Sequence, residues 1–511
     1  MILTKWIISD AGEEKKPLYC RGAGVSINNG RVILKAKQSV SFDTYYNALF
    51  YGLYQQNAEI NNIFARVISS GRLRLRLCAY TQEGKRIVLA TSETGNSVEE
   101  TILSSGETSN LPLNGMLFVE AEALTDSVIH GGAFETGAEE QTPVYLAAII
   151  CTYHREDYVQ RNLARIRHGL MDTAESGVSD AIDCLVIDNG GTLALEQSNR
   201  VLLFQNRNYG GSGGFTRGLI EAYRRRQKYT HVLLMDDDIS FEPEVLARTI
   251  RLLRILKRQG RPVCIGGQML QEGKPTVQYE AGGNFVKSRI QSVGRGMDLS
   301  SPGNLLKNTA QSHVSFNAWW YCCFPLSEVE RIGLPYPFFI KCDDIEYGMR
   351  MRPNLLLCNG IGVWHRDFSQ KVSPHLEYYI KRNELIVSVL HDGKHALGYA
   401  LDKIVRACAK ASLIGDSRNI DFILMAYRDF MKGPSFFENT DEEQLNRQLM
   451  EIGKKPATGR LKACLTVGPR VMATMIKLLL AYRNLQNSYP YEIKRYSTLE
   501  FWSRHLDIEA V

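Results

Sequence analysis

The sequence predicts an α/β protein built on a doubly wound, mostly parallel sheet, with a β-sandwich before it and a helical region after it. Three observations predict this. Strand-like and helix-like segments alternate from about residue 144. Short period-two runs fill the residues before that point, and helical patterns fill those after about residue 374. At 511 residues the chain is too long for one core. It divides on this reading into residues 1–142, 143–375 and 376–511.

In the first region "RLRLRLCAY" (72–80) alternates basic and apolar residues, as a half-buried strand does. "RVILKAK", "KRIVLAT" and "GMLFVEAEAL" repeat the pattern between Gly-, Asn- and Ser-rich turns. Residues 125–143, "TDSVIHGGAFETGAEEQTP", read as a Gly- and Glu-rich linker closing the region.

The middle region opens with the strand "VYLAAIICTY", the helix "EDYVQRNLARIRHGLM" and the strand "DCLVIDNGG". A glycine-rich loop then leads into "FTRGLIEAYRRRQ", and "HVLLMDDD" is the next strand. Repeated β-α-β units imply parallel strands, with ligands at their carboxyl ends. The third region begins with the helix "HLEYYIKRNELIVSVLHD". Residues 452–491 hold seven Lys and Arg and no Asp or Glu, with Arg470, Thr474, Lys477 and Asn484 on one helical face. That stripe suits an anionic membrane surface, or equally a helix packed on its own domain.

A formal charge of +6 is small for this length and does not suggest a nucleic-acid partner. The N-terminus carries neither a signal-peptide core nor a transmembrane span, and no spanning segment is expected elsewhere. Eleven scattered cysteines without CxxC pairs fit a reducing cytosol.

The chemistry starts with Asp236, Asp237 and Asp238 at the end of a buried strand. Side chains at i and i+2 share a side, so Asp236 and Asp238 converge while Asp237 faces away. A divalent cation would offset their repulsion, and oxygen ligands suit Mg or Mn. The competing reading has one aspartate capping the helix "PEVLARTIRLLRIL" and the others solvated. "NRNYGGSGGFTRG" (206–218) lacks the spacing of dinucleotide folds or P-loops, but places glycines before a helix N-terminus, a setting for a diphosphate. In "FIKCDDIEYGMR" two aspartates open a helix. Asp343 with Glu346 three residues on is a capping-box pattern, and one of the pair can equally be a general base. His365 in "GVWHRDF" is a candidate third metal ligand or a structural histidine. Trp319 and Trp320 are core residues or sugar-stacking platforms.

Taken in order, "NYGGSGGFTRG", "MDDDI", "GGQML", "NAWWYCC", "PFFIKCDDIEYGMR", "VWHRDF" and "KRN" resemble the galactofuranosyltransferases of glycosyltransferase family two, which polymerise cell-wall galactan. The likeness is best over residues 144–383 and weaker in "SFDTYYNALFYGLYQQ". It implies a Rossmann-like GT-A fold, a Mn or Mg ion and UDP-galactofuranose as donor. It carries the metal ligands onto Asp236, Asp238 and His365, and the general base onto Asp344. Donor contacts fall on Arg155, Asp188, Asn208, Gly210, Gly211 and Asp236, and acceptor contacts on Trp319, Trp320 and Asp343. The residues flanking the motifs depart from the family pattern, as in "KCDD" and "WHRDF", and the last third matches poorly. Acceptor and linkage are therefore open.

The implied reaction is an inverting transfer to a lipid-linked or cell-surface glycan. It is expected at the cytoplasmic face of a membrane to which the protein binds peripherally, with a homo-oligomer as a possible state. Rival readings are the same enzyme with dTDP-rhamnose or another UDP-hexose, and a non-catalytic carbohydrate-binding protein. A sugar nucleotidyltransferase is disfavoured because "CTYHRED" lacks a Gly-rich loop after the first strand.

Overall fold

The structure is a computed structural model; it describes residues 1–257, 260–309, 314–366, 373–457 and 460–509. Asp367 and Phe368 of the "VWHRDF" motif lie outside the described residues, as do residues 458–459 of the basic 452–491 stretch.

The N-terminal residues form two antiparallel sheets. One runs Ser26–Asn28, Arg31–Leu34, Ser127–Glu135, Asn62–Ser70, Glu99–Glu107, with Ile2–Lys5 also paired to Ser127–Glu135. The other runs Ser39–Ser41, Met116–Ala123, Leu73–Tyr80, Arg86–Glu93. Leu73, Leu75 and Leu77 are fully buried, and the intervening Arg74 and Arg76 reach Glu122 on the next strand at 3.2 and 2.9 Å. The alternation in sequence is thus an alternation of core and charge ladder.

Residues 125–143 are not a linker. Ser127–Glu135 pairs on both sides within the first sheet. Gly131 and Gly132 disguise it, because glycine lowers strand propensity. The second glycine has a packing reason: a Cβ there would lie 2.6 Å from the Trp6 ring.

Four parallel strands follow in the order Val201–Gln205, Ile182–Asp188, Leu146–Thr152, His231–Asp236. Tyr321–Pro325 then inserts antiparallel between His231–Asp236 and Val263–Gln271. Lys274–Glu280 and Asn354–His365 both pair with Val263–Gln271, the latter in parallel. Ile182–Asp188 is buried at every position, and its middle residues Cys184, Leu185, Val186 and Ile187 form a continuous apolar run.

The C-terminal residues are helical: Leu376–His391, Gly393–Ile414, Ser417–Phe430, Glu442–Lys454, Arg460–Tyr496 and Leu499–Leu506. Here the expectation of no spanning segment needs correcting. Ala463–Tyr496 is long and apolar enough, by length and composition, to cross a membrane. Its cations are spread along the helix, so a reading centred on its basic stripe passes over the apolar run between them. Leu478, Leu485 and Tyr489 pack inward, while Leu465, Met472, Ile476, Leu479 and Leu480 are exposed, the last at 82%.

Candidate active site

His231–Asp236 carries its apolar residues through the sheet and ends on the three acids. Ligand atoms of Asp236, Asp238 and His365 all lie within 4.8 Å of one another. His365 Nε2 is 3.1 Å from Asp238 Oδ1, and its Nδ1 is 2.6 Å from the carbonyl of Arg366. A proton on Nδ1 would satisfy that carbonyl and leave Nε2 as a donor lone pair. Strand pairing brings the imidazole there, since the backbones of Trp364 and Ser240 exchange hydrogen bonds of 2.7 and 2.9 Å.

Asp237 turns away from this group. Its carboxylate accepts from Thr152 Oγ1 at 2.7 Å and from Arg155 at 2.8 Å, while its carbonyl accepts from Asn162 Nδ2 at 2.8 Å. Burial, and then the charge of Asp238, push the Asp236 carboxyl up to about 6. For His365, burial works against the charged form, but the bond to Asp238 and the two nearby carboxylates outweigh it and raise the imidazole. Two recessed, mutually repelling carboxylates with an oriented imidazole form an O,O,N donor set that fits Mn or Mg.

The remaining donor-side residues are placed as follows. Arg155 bridges Asp237 and Asp238, at 2.8 and 3.0 Å. Asp188 is buried and accepts from the backbone N–H groups of Gly190, Gly191 and Leu193, so its carboxylate builds its own turn. Asn208 Oδ1 accepts from the N–H of Gly210 at 3.0 Å. The glycines do not precede the helix; Gly210–Arg224 begins with them. Most serve packing: a Cβ on Gly210 would meet the Phe339 carbonyl oxygen at 2.1 Å, and one on Gly214 the Cys151 sulfur at 2.1 Å. Gly211 alone among 210, 211, 213 and 214 would meet nothing within 4 Å, so it is the glycine that faces open space.

Asp343–Met351 is the helix opened by the second acid pair. The capping-box expectation is overturned. Cys342 occupies the cap position without a side-chain bond, and Asp343 is the first helical residue. Glu346 pairs instead with Arg350 at 2.8 Å and lies 3.4 Å from His391; although burial opposes it, the Arg350 and His391 interactions bring its carboxyl down to about 2. Burial, then the charge of its neighbour, pushes Asp343 up to about 7, and burial pushes Asp344 up to about 6. Asp344 Oδ1 accepts from the N–H of Ile345 at 2.8 Å. The two acid groups share a neighbour: Cys151 feels Asp237, Asp236 and Asp343 together.

Trp319 and Trp320 are 5% and 6% exposed. They pack into different parts of the core, Trp320 with the N-terminal and central residues and Trp319 with the residues of the C-terminal helices. Trp319 packs edge-on against Phe215 at 5.4 Å, and Trp320 donates its indole N–H to the Gly267 carbonyl at 2.9 Å. Little of either ring is open for stacking in this conformation.

One group escaped sequence reasoning. Burial pushes the Glu280 carboxyl up to about 7, Ser292 hydrogen-bonds it, and the charge of Asp344 adds to the rise. A single glutamate ending a strand carries no signal in sequence. Only the fold brings it near Asp344.

The sequence is similar to glycosyltransferases. Particular relatives are the galactofuranosyltransferases GlfT2 of Mycolicibacterium smegmatis and Mycobacterium tuberculosis, each 25% identical, over 429 and 492 residues. These matches cover 78% and 88% of the chain. They span 65% of the M. smegmatis protein and 75% of the M. tuberculosis one. No protein-family model matches the chain. Among solved structures, GalNAc-T7 with UDP, GalNAc and Mn2+ overlaps 58% of the chain and 57% of its own, at TM-score 0.34 and 13% identity. The mannosyltransferase PcManGT from Pyrobaculum calidifontis, with GDP-Man and Mn2+, overlaps 67% of the chain and 88% of its own, at 0.33 and 11%.

Proposed function

We propose that this protein is an inverting, metal-dependent glycosyltransferase that moves galactofuranose from UDP-galactofuranose to a hydroxyl of a lipid-linked or cell-surface glycan. The observation that carries the reading is the grouping of Asp236, Asp238 and His365 within 4.8 Å of one another. The raised carboxyls of Asp343 and Asp344 and the GlfT2 similarity support it.

Asp236, Asp238 and His365 would hold Mn or Mg. When bound, the ion supplies positive charge for the departing diphosphate. Asp344 takes the proton of the acceptor hydroxyl as that oxygen bonds to the anomeric carbon. The bond from that carbon to the UDP oxygen breaks on the opposite face, which inverts the configuration. A carboxyl near 6 suits this role, because it is mostly ionised at neutral pH yet still basic enough to accept a proton. Gly211 and the N-terminus of its helix would face the diphosphate, with Arg155, Asp188, Asn208 and Gly210 shaping that side. Asp343 and Glu280 would line the acceptor side, with the buried Trp319 and Trp320 supporting it.

Three domains, 1–142, 143–375 and 376–511, fit this reading, as a β-sandwich, a GT-A catalytic domain and a helical domain. Peripheral attachment at the inner face of the cell membrane is supported by the exposed apolar side of helix Arg460–Tyr496 and its cations Arg470, Lys477 and Arg483. A homo-oligomer belongs to the same proposal.

The test is UDP release by the purified protein with Mn or Mg. UDP-galactofuranose is compared with UDP-galactopyranose, UDP-glucose and dTDP-rhamnose, each with and without a galactofuranosyl acceptor. Acceptor-stimulated, metal-dependent turnover of the furanose donor alone is expected. Turnover of dTDP-rhamnose or a hexopyranose instead would move the donor assignment while leaving the base and metal residues in place.

A further inference from the structure

The segment that delivers the acid pair is bent against its own preference. Phe339, Lys341 and Cys342 have φ of 67°, 71° and 67°, and none is glycine. Such residues hold left-handed backbone only when the surroundings enforce it. Among the groups that hold it, one side chain makes the most contacts. Asn383 Nδ2 donates to the carbonyls of Ile340 and Lys341, both at 2.9 Å, and to that of Phe338 at 3.3 Å. Its amide cannot flip without losing a partner, because Arg382 Nε donates to Asn383 Oδ1 at 2.9 Å.

Arg382 is itself fixed. It is fully buried, donates to the Phe338 carbonyl at 3.1 Å, and pairs with Glu442 at 3.3 Å. The rings of Tyr378, Tyr379, Phe436 and Phe437 surround its guanidinium at 5.0 to 5.4 Å. On the other side, the N–H of Ser212 donates to the Phe339 carbonyl at 3.0 Å. The bent segment is thus gripped between the glycine-rich helix start and Leu376–His391.

We propose that Asn383 is a positioning residue for the transfer step: its amide holds residues 338–342 in the left-handed bend that aims Asp344 at the acceptor hydroxyl. The proposal rests on Asp344 as the base. It does not involve the donor directly, since Asn383 is wholly buried beneath the segment.

The experiment compares Asn383→Asp with Asp344→Asn and the wild type in the full chain. Steady-state transfer, the donor KM, Mn-dependent UDP affinity and the thermal midpoint are measured. Asn383→Asp is isosteric but turns oxygens toward three carbonyls, so the bend should relax. The expected result is a kcat lower by about 100-fold, the scale of an ångström-sized misplacement, with donor KM and UDP affinity within about twofold of wild type. Asn383→Ser, which keeps one short donor, should fall between the two. Wild-type kcat in Asn383→Asp alongside an inactive Asp344→Asn would overturn the positioning role and keep the base. Full transfer by Asp344→Asn would remove the base and the inference together. Parallel loss of UDP affinity, or failure of both Asn383 variants to fold, would overturn the inference in favour of a purely structural role.

Discussion

His365 Nε2 faces Asp238 Oδ1 across 3.1 Å, although 127 positions separate the two residues in the chain. The contact joins the end of one parallel strand to the end of another, and it makes a donor set from residues that no local motif contains. His365→Ala and Asp238→Asn should each weaken Mn-dependent UDP binding by at least tenfold, read by calorimetry with Mn present and absent. Equal UDP affinity with and without metal in the wild type would break the assignment of this group as a metal site.

Asp344→Asn removes the proposed proton acceptor but leaves the donor side alone. It should lower kcat by a factor of about 10² to 10⁴ while Mn-dependent UDP affinity stays near wild type. In the wild type, kcat should rise with pH through about 6 as Asp344 ionises. In Asp344→Asn the charge that helps raise the Glu280 carboxyl is gone, so Glu280 should titrate below about 7. A Glu280 titration unchanged by Asp344→Asn, read by NMR, would show that the two carboxyls do not communicate.

The raised carboxyls also predict how the metal-free protein responds to pH. Asp236 titrates at about 6 when folded, against an ordinary value of 3.8, so the native state binds its proton more tightly than the unfolded state. Stability from this group is full below about pH 4 and is lost as pH rises through about 6. His365 works in the same direction, since its raised imidazole also favours the protonated native state. Asp236→Asn should therefore raise the melting temperature of metal-free protein at pH 7.5 more than at pH 5, while abolishing Mn-dependent UDP binding. Thermal scans with chelator at both pH values decide it; a destabilised Asp236→Asn at pH 7.5 would contradict the argument.

Gly210 and Gly211 should respond differently to alanine. At Gly210 the new Cβ meets the Phe339 carbonyl at a backbone φ of 68°, so Gly210→Ala should cost stability and disturb the acid pair. Gly211→Ala has space, so its melting temperature should match wild type, and any loss should appear in UDP affinity. Scanning calorimetry and UDP titration of both variants separate packing from recognition.

Leu479→Ser with Leu480→Ser removes exposed apolar surface from helix Arg460–Tyr496 without touching its packed side. Cosedimentation with anionic vesicles should fall several-fold while UDP affinity is unchanged. Undiminished vesicle binding would exclude this face as the attachment surface.

Much of the central sheet was legible because buried parallel strands are continuous apolar runs, and the aspartates sit where such a run stops. Residues 127–135 were misread because Gly131 and Gly132 weaken the strand pattern, and their reason, the Trp6 ring, lies far away in sequence. Tyr321–Pro325 gave no hint that it enters the sheet antiparallel between two earlier strands, since strand order is a non-local property. The Asp343–Glu346 spacing suggested a capping box, but Arg350 and His391 claim Glu346, and only packing reveals them. Asn383 stood within the recognised "KRN" motif, yet its function lies in three carbonyls that bend toward it from forty residues upstream.

The N-terminal sheets also have a meaning beyond their own architecture. Their buried side chains run without a break into those of the central sheet, from Leu3 through Leu246 to Trp364. Lys15 sits 3.8 Å over the ring of Trp364, the residue before His365, and Arg248 donates to the Gly360 carbonyl at 3.2 Å and to that of Lys5. A truncation beginning at residue 143 would thus not liberate a catalytic core. It would strip the backing from the strand that ends in His365 and expose apolar surface on the sheet, so heat should melt these two parts of the chain together, in one cooperative transition.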